Sequence, residues 1–250
     1  MSLCLVRHGK TQWTEEKRFT GWGDARLSEQ GLAEAQSAAK ALTASGYSFD
    51  MCFTSCLERA KLTADIIGEK MGMPTGHIQY DWRLNERHYG ALQEKLRSDM
   101  VEAHGLSHVT DWRRNFHASP PPLNEDDPRW LEQIDRLPEV PMAQQPKGES
   151  MFEATQRTLN FWEDEVEPAL KAQKNVLIIA HTNSIRAMVS RLEGFNEVQS
   201  GEFRISTAVP RHYELNNELT PVKIRDLTRN PKVILRHWLK RRRMKKLADV

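Results

Sequence analysis

The chain of 250 residues is 39% hydrophobic and 28% charged, and its formal net charge is +2. That composition suits one large globular domain, and the clearest apolar run, Val176–Ala180, is far too short to cross a bilayer, which excludes a membrane span. Residues 221–250 hold 11 Lys/Arg against 2 Asp/Glu, a balance of +9, while residues 1–220 hold 25 against 32, a balance of −7; net charge therefore excludes reading the whole protein as a nucleic-acid binder.

Residues 3–6 form an apolar run ending in Arg7-His8-Gly9, which predicts a buried strand opening into a loop. Ser28 can cap a helix whose apolar face runs Leu32, Ala35, Ala39, Leu42. Residues 51–53 read as a second strand, followed after Ser55 by a helix with Leu57, Ala60, Ala64, Ile67 and Met71 on one face. Ile78–Tyr80 reads as a third strand leading into Arg83-Leu84-Asn85-Glu86-Arg87. Residues 117–147, with Pro120, Pro121, Pro122, Pro128, Pro138 and Pro141, predict a long irregular insertion able to act as a lid. Ser150-x-x-Glu153 has the form of a capping box, and its helix is expected to run toward Glu167, with Pro168 near the end. Val176–Ala180 is the clearest buried strand and ends at His181; a helix over 186–192 and strands over 212–215 and 222–224 follow. Strand and helix alternate, so the expected fold is α/β, a mainly parallel central sheet with helices on both faces. The catalytic domain is placed at residues 1–228, and residues 229–250 form a basic C-terminal extension.

Cys4, Cys52 and Cys56 are odd in number and read as buried thiols of a reducing compartment, not as a disulfide framework. With charge reached early in the N-terminal residues, a cytoplasmic location is expected. His104 and His108 are spaced four apart, yet no third ligand has a recognisable spacing, so a surface helix is the better reading and no metal is expected.

Ligands of open α/β sheets bind beyond the carboxyl ends of the strands. Two strand-like runs here end in histidine, at His8 and His181, and Arg7 and Arg59 accompany them. Two imidazoles and two guanidinium groups suit a tetrahedral anion better than a metal. A neutral imidazole can take a phosphoryl group covalently, and arginines neutralise the transferring oxygens. Glu86 is the candidate acid for the leaving oxygen. Arg83 and Arg87 flank it and favour its carboxylate, so proton donation requires burial or the phosphate's own negative charge.

These residues closely resemble the cofactor-dependent phosphoglycerate mutases of the histidine phosphatase superfamily. The resemblance rests on Leu5-Val6-Arg7-His8-Gly9, Phe19-Thr20-Gly21-Trp22, Leu27-Ser28-x-x-Gly31, Thr54-Ser55 with Arg59-Ala60, and the run from Leu84 to Leu92. It continues through Trp112-Arg113-Arg114, Gly148-Glu149-Ser150 and Ala180-His181 with Asn183-Ser184, covering roughly residues 1–225. It implies that His8 accepts the phosphoryl group, that Glu86 moves the proton, and that Arg7, Arg59 and His181 bind the transferring phosphate. Arg87, Tyr89, Arg113 and Arg114 would hold the substrate's carboxylate and second phosphate, with Thr14, Thr20, Gly21, Arg97, Thr182 and Asn183 lining the pocket.

The implied activity is interconversion of 3-phosphoglycerate and 2-phosphoglycerate, primed by 2,3-bisphosphoglycerate, by a homo-oligomer that needs no metal. A phosphatase on the same fold is the alternative, and a non-catalytic binder of phospho-ligands or nucleic acid is a third reading, against which the retained His8, His181, Arg7, Arg59 and Glu86 speak. The chain departs from the family at Lys10, Thr11 and Thr14, where Glu, Ser and Asn are usual, at Arg97 for lysine, and at Thr182 and Glu94 for glycine. The 205–210 segment also lacks the usual proline and glycine. For the basic tail a solvated extension is the plainer reading; contact with anionic membrane or RNA is an alternative, and the resemblance adds covering of the active site as another.

Overall fold

The computed structural model describes residues 1–74 and 76–228. The chain forms β1 (Ser2–Arg7), α1 (Gln12–Glu15), α2 (Glu29–Ala44), β2 (Met51–Thr54), α3 (Glu58–Met71) and β3 (Ile78–Tyr80). After two 3₁₀ turns come α4 (Arg97–His104), α5 (Leu106–Arg114), α6 (Pro128–Arg136) and α7 (Met151–Phe161). A π turn over Trp162–Val166 leads into α8 (Glu167–Lys171), then β4 (Val176–Ala180), α9 (Thr182–Glu193), α10 (Glu197–Glu202), β5 (Arg211–Leu215) and β6 (Pro221–Asp226).

The six strands form one sheet in the order β3-β2-β4-β1-β5-β6. The first four are mutually parallel and the last two antiparallel, so the sheet is mainly parallel, as its alternating sequence requires. β4 is buried along its whole length because it lies inside the sheet with cover on both faces. Its Ile178 packs with Leu3, Leu5, Phe53, Phe161 and Met188 on one side, and its Leu177 and Ile179 with Val6, Leu42, Ala64 and Ile67 on the other. Each such aliphatic side chain contributes roughly 1.5–3 kcal/mol on full burial, which fixes the register of the central strands.

Ser28 caps α2 by accepting from the Gly31 N–H, and Ser150 with Glu153 closes a capping box on α7. Gly31 is required by contact: a Cβ there would lie 1.9 Å from the Lys10 carbonyl oxygen, and one on Gly9 would lie 2.3 Å from the Gly31 oxygen. The loop after β1 therefore rests directly on the first turn of α2.

Several expectations need correction. Leu32 points outward from α2, leaving Ala35, Ala38, Ala39 and Leu42 as its buried face. The α7 helix does not stop near Glu167 but continues through the π turn to Lys171, and the widened turn accommodates Pro168, which has no N–H to donate. His104 and His108 fall on separate helices split by Gly105, both against Trp112.

The largest correction concerns residues 117–147. They contain α6, started by Asp127 as N-cap and Pro128 in the first turn, and a 3₁₀ turn over Met142–Gln144. Leu137 and Val140 pack on Trp22 and Leu57, Pro121 O accepts from Ala91 N, and Arg129 and Arg136 donate to the carbonyls of Gln93 and Trp22. This insertion is a strap behind the loop that follows β3, not a loose lid. The basic extension 229–250 lies outside the described residues. Among the described residues no helix is long and apolar enough to cross a membrane.

Candidate active site

β1 and β4 are adjacent and parallel, with Arg7 opposite Ala180, and the His8 N–H continues their ladder by donating to Ala180 O at 3.0 Å. The two strand-terminal histidines are thereby brought together, with ring centroids 4.9 Å apart. His8 Nδ1 lies 2.7 Å from Gly9 O. A carbonyl only accepts, so Nδ1 carries the proton and Nε2 holds the lone pair. Burial, reinforced by the charges of Arg59 and Arg7, pushes the His8 pKa well below the ordinary 6.5, so the ring is neutral at neutral pH and its Nε2 lone pair is available. His181 is fully buried behind it, its Nε2 2.6 Å from Ser55 Oγ and its Nδ1 without a partner among the described residues.

A cavity of about 860 Å³ opens beside His8. Its wall takes Arg7, His8 and Thr14 from β1 and the residues after it, Thr20 and Gly21 from the next loop, and Arg59 from α3. Glu86 and Tyr89 follow from the loop after β3, Arg97, Arg113 and Arg114 from α4 and α5, and Thr182 and Asn183 from α9. Among the described residues, eight cations line it (Arg7, Lys10, Arg59, Arg97, Arg113, Arg114, Arg186 and Arg204) against the carboxylates Glu86 and Glu202. Burial lowers the pKa of Arg7 and of Arg59, the latter to about 10, yet both remain cationic at neutral pH. Arg59 donates to Gly21 O and Gly23 O at 2.7 and 2.9 Å, and Arg7 to Ile205 O at 3.0 Å. The Nε atoms of Arg7, Arg59 and Arg97 are buried without partners among the described residues. Buried unspent donors are costly to the free protein, by roughly 1–3 kcal/mol each, and an anion would relieve that.

Glu86 accepts at Oε1 from Arg87 N, Asn183 N and Asn183 Nδ2 at 2.9, 3.0 and 2.8 Å, and at Oε2 from Thr182 N at 3.1 Å. It is thus held on the first turn of α9. Thr182 is an ordinary helical residue there, and the left-handed conformation that would demand glycine is absent. Glu94 does adopt it, at φ 70°. The flanking arginines do not reach the Glu86 carboxylate. Arg83 pairs with Asp81 and Asp164, and Arg87 is wholly buried, donating to the carbonyls of Glu149, Trp112 and Ala118. Arg87, expected at the substrate, is instead set behind the wall as a tie between three chain segments. Lys10 reaches the cavity rim, where its ammonium donates to Gln30 Oε1 at 2.8 Å.

Sequence reasoning missed Arg186, Arg204 and Ser55. Arg186 follows Asn183 by three on α9, a spacing that places both on one helix face, and its NH1 donates to Asn183 Oδ1 at 3.2 Å. Ser55 stood in the Thr54-Ser55 match to the family, but no role was drawn from it. Among the described residues, no group of three or more His, Cys, Asp or Glu is placed to hold a metal.

The model of the histidine phosphatase superfamily (branch 1) matches residues 3–137 and 122–223. The chain belongs to that superfamily. Its fold is shared by an alpha-ribazole phosphatase from Shigella flexneri, with 21% identity over 92% of this chain and 97% of that one and a TM-score of 0.67. A mycobacterial glucosyl-3-phosphoglycerate phosphatase has 22% identity over 90% and 96% of the two chains, with a TM-score of 0.67. A phosphoglycerate mutase from Bacillus anthracis has 19% identity over 86% and 88%, with a TM-score of 0.61. As a member of the histidine phosphatase superfamily the protein is a phosphoryl-transfer enzyme.

Its buried histidines make fold stability depend on pH. Burial lowers His88 and His212 to about 4, and His8 and His181 well below 6.5. Below about pH 6.5 the unfolded chain takes up protons at these sites that the folded chain refuses, so falling pH favours unfolding. The melting temperature is expected to be level above pH 7 and to drop steadily between pH 6.5 and 4. His88→Gln should reduce that slope; an unchanged slope would show that His88 is not buried neutral.

Proposed function

We propose that the protein is a phosphoglycerate mutase primed by 2,3-bisphosphoglycerate, interconverting 3-phosphoglycerate and 2-phosphoglycerate through phosphohistidine at His8. One observation carries this reading. Cations enter the cavity from two sets of elements, Arg7 and Arg59 from β1 and α3 around His8, and Arg97, Arg113 and Arg114 from α4 and α5. A substrate with a reacting phosphate and a second anionic end uses both sets, whereas a simple phosphomonoester needs only the first.

His8 Nε2 attacks phosphorus, the N–P bond forms, and the P–O bond breaks with its electron pair left on the departing oxygen. Arg7 and Arg59 offset the charge on the transferring oxygens, and the neutral His181 ring donates to them from Nδ1. Glu86 in its acid form gives the departing oxygen its proton from Oε2, the oxygen with one donor among the described residues, and takes a proton back when a hydroxyl accepts the phosphoryl group. The unspent guanidinium nitrogens of Arg7, Arg59 and Arg97 fit a bisphosphorylated primer, whose chemistry is to supply the phosphoryl group that loads His8.

A phosphatase is the second reading, favoured by the fact that residues 117–147 contribute nothing to the cavity wall and so leave water less excluded. The two readings separate when isomerisation of 3-phosphoglycerate, with primer, is measured against phosphate release from it. Joint replacement of Arg113 and Arg114 by Ala should slow isomerisation by about a hundredfold or more and hydrolysis of p-nitrophenyl phosphate by less than about threefold. Phosphate release outrunning isomerisation in the unmodified protein would make it a phosphatase.

A further inference from the structure

Behind the cavity, the loop that carries Glu86 is gripped by a buried ion pair that the chemistry above leaves unused. Arg157 of α7 meets Glu149, just before that helix, fork to fork, Nε to Oε1 at 2.8 Å and NH2 to Oε2 at 2.9 Å. Their side chains are only 8% and 7% exposed. A pair taken that far from water repays its desolvation only if the remaining donors and acceptors are also used. They are used on one short stretch of main chain. NH1 donates to the carbonyls of Arg83 and Asn85 at 2.8 and 3.2 Å, and NH2 to that of Glu86 at 3.2 Å. Glu149 Oε2 accepts from the His88 N–H at 2.8 Å. The Trp22 indole N–H donates to the same Glu86 carbonyl, and the Arg157 guanidinium lies over the rings of Trp22 and Trp82.

The pair therefore holds the backbone on both sides of Glu86, and its own hydrogen bonds go to that backbone, not to the Glu86 carboxyl group. We propose that Arg157 and Glu149 are positioning residues that aim Glu86 Oε2 at the leaving oxygen, so that they govern proton delivery and not phosphate binding. This rests on the reading of Glu86 as the acid. The forked shape is what the role needs. A lysine at 157 would keep the charge but could not serve Glu149 and three carbonyls at once.

The test uses two phosphomonoesters that differ in their need for a proton. Nitrophenolate leaves without one; the alkoxide of 3-phosphoglycerate does not. The rate of His8 phosphorylation is measured in single turnover for the unmodified protein, Arg157→Lys, Glu149→Gln and Glu86→Gln. Arg157→Lys should slow transfer from 2,3-bisphosphoglycerate by about thirtyfold or more and from p-nitrophenyl phosphate by less than about threefold, with KM for both nearly unchanged; Glu86→Gln should show the same pattern more strongly. Equal slowing of both substrates by Arg157→Lys, with Glu86→Gln still discriminating, would overturn the positioning role and leave Glu86 as the acid. Failure of Glu86→Gln to discriminate would remove the acid itself, and the proposal with it. If Arg157→Lys does not fold, Glu149→Gln, which keeps shape and most hydrogen bonds, carries the same comparison.

Discussion

His8→Ala is expected to leave a folded protein whose phosphoryl transfer is lower by about four orders of magnitude or more. Removing a covalent nucleophile leaves only the catalysis that binding and charge stabilisation supply, which is small beside the whole. The fold should survive because the ring spends only one hydrogen bond, to the carbonyl next to it, while the strand register depends on the backbone N–H of residue 8. Incubation with radiolabelled 2,3-bisphosphoglycerate should give an acid-labile, base-stable label in the unmodified protein and none in the variant. Label that persists in His8→Ala and disappears with another substitution would end the phosphohistidine assignment at this position.

Glu149→Ala should produce the largest loss of stability. Burial alone pushes the Glu149 carboxyl up, but the charge and hydrogen bonds of Arg157 outweigh it and hold the carboxyl below its ordinary value, so the pair is charged in the folded protein. Taking away one partner strands a buried guanidinium, at a cost of roughly 3–5 kcal/mol. In a domain of this size each kcal/mol lowers the melting temperature by about 2–4 °C, so a fall of roughly 6–20 °C is expected. Replacing both residues with apolar ones of similar volume should recover part of it, because no charge is then stranded. A shift of less than about 2 °C for Glu149→Ala would show that the pair is hydrated in solution.

The parts of this molecule that were legible in the sequence are those governed by local pattern. The run Val176–Ala180 reads as an inner strand, and the apolar run before Arg7-His8-Gly9 as a strand delivering its histidine at a sheet end, so the two histidines would meet if those strands were neighbours, which the β1–β4 pairing makes them. Glu86 was legible as a residue beyond a strand, but its seat on the first turn of α9 was not, since that contact spans 97 residues to Asn183. Arg87 misled for the same reason. Its carbonyl partners are 62, 25 and 31 residues away, and the family resemblance had implied a substrate ligand. In the strap, proline was read as a breaker throughout, although Asp127-Pro128 is a helix start, with a cap and a residue whose missing N–H is not needed there.

The seating of His8 on the β1–β4 ladder has a consequence for motion. Those two strands are buried nearly throughout, and the amide of His8 is bonded into them. Such amides exchange with solvent chiefly through global unfolding, so the slowest-exchanging hydrogens should include that of His8 itself. The opposite wall is of another kind: α4 buries no residue and α5 only Val109. Opening by a fraction of the global free energy is available there. Ligand exchange is therefore expected past Arg97, Arg113 and Arg114, while the His8 amide stays bonded into the β1–β4 ladder.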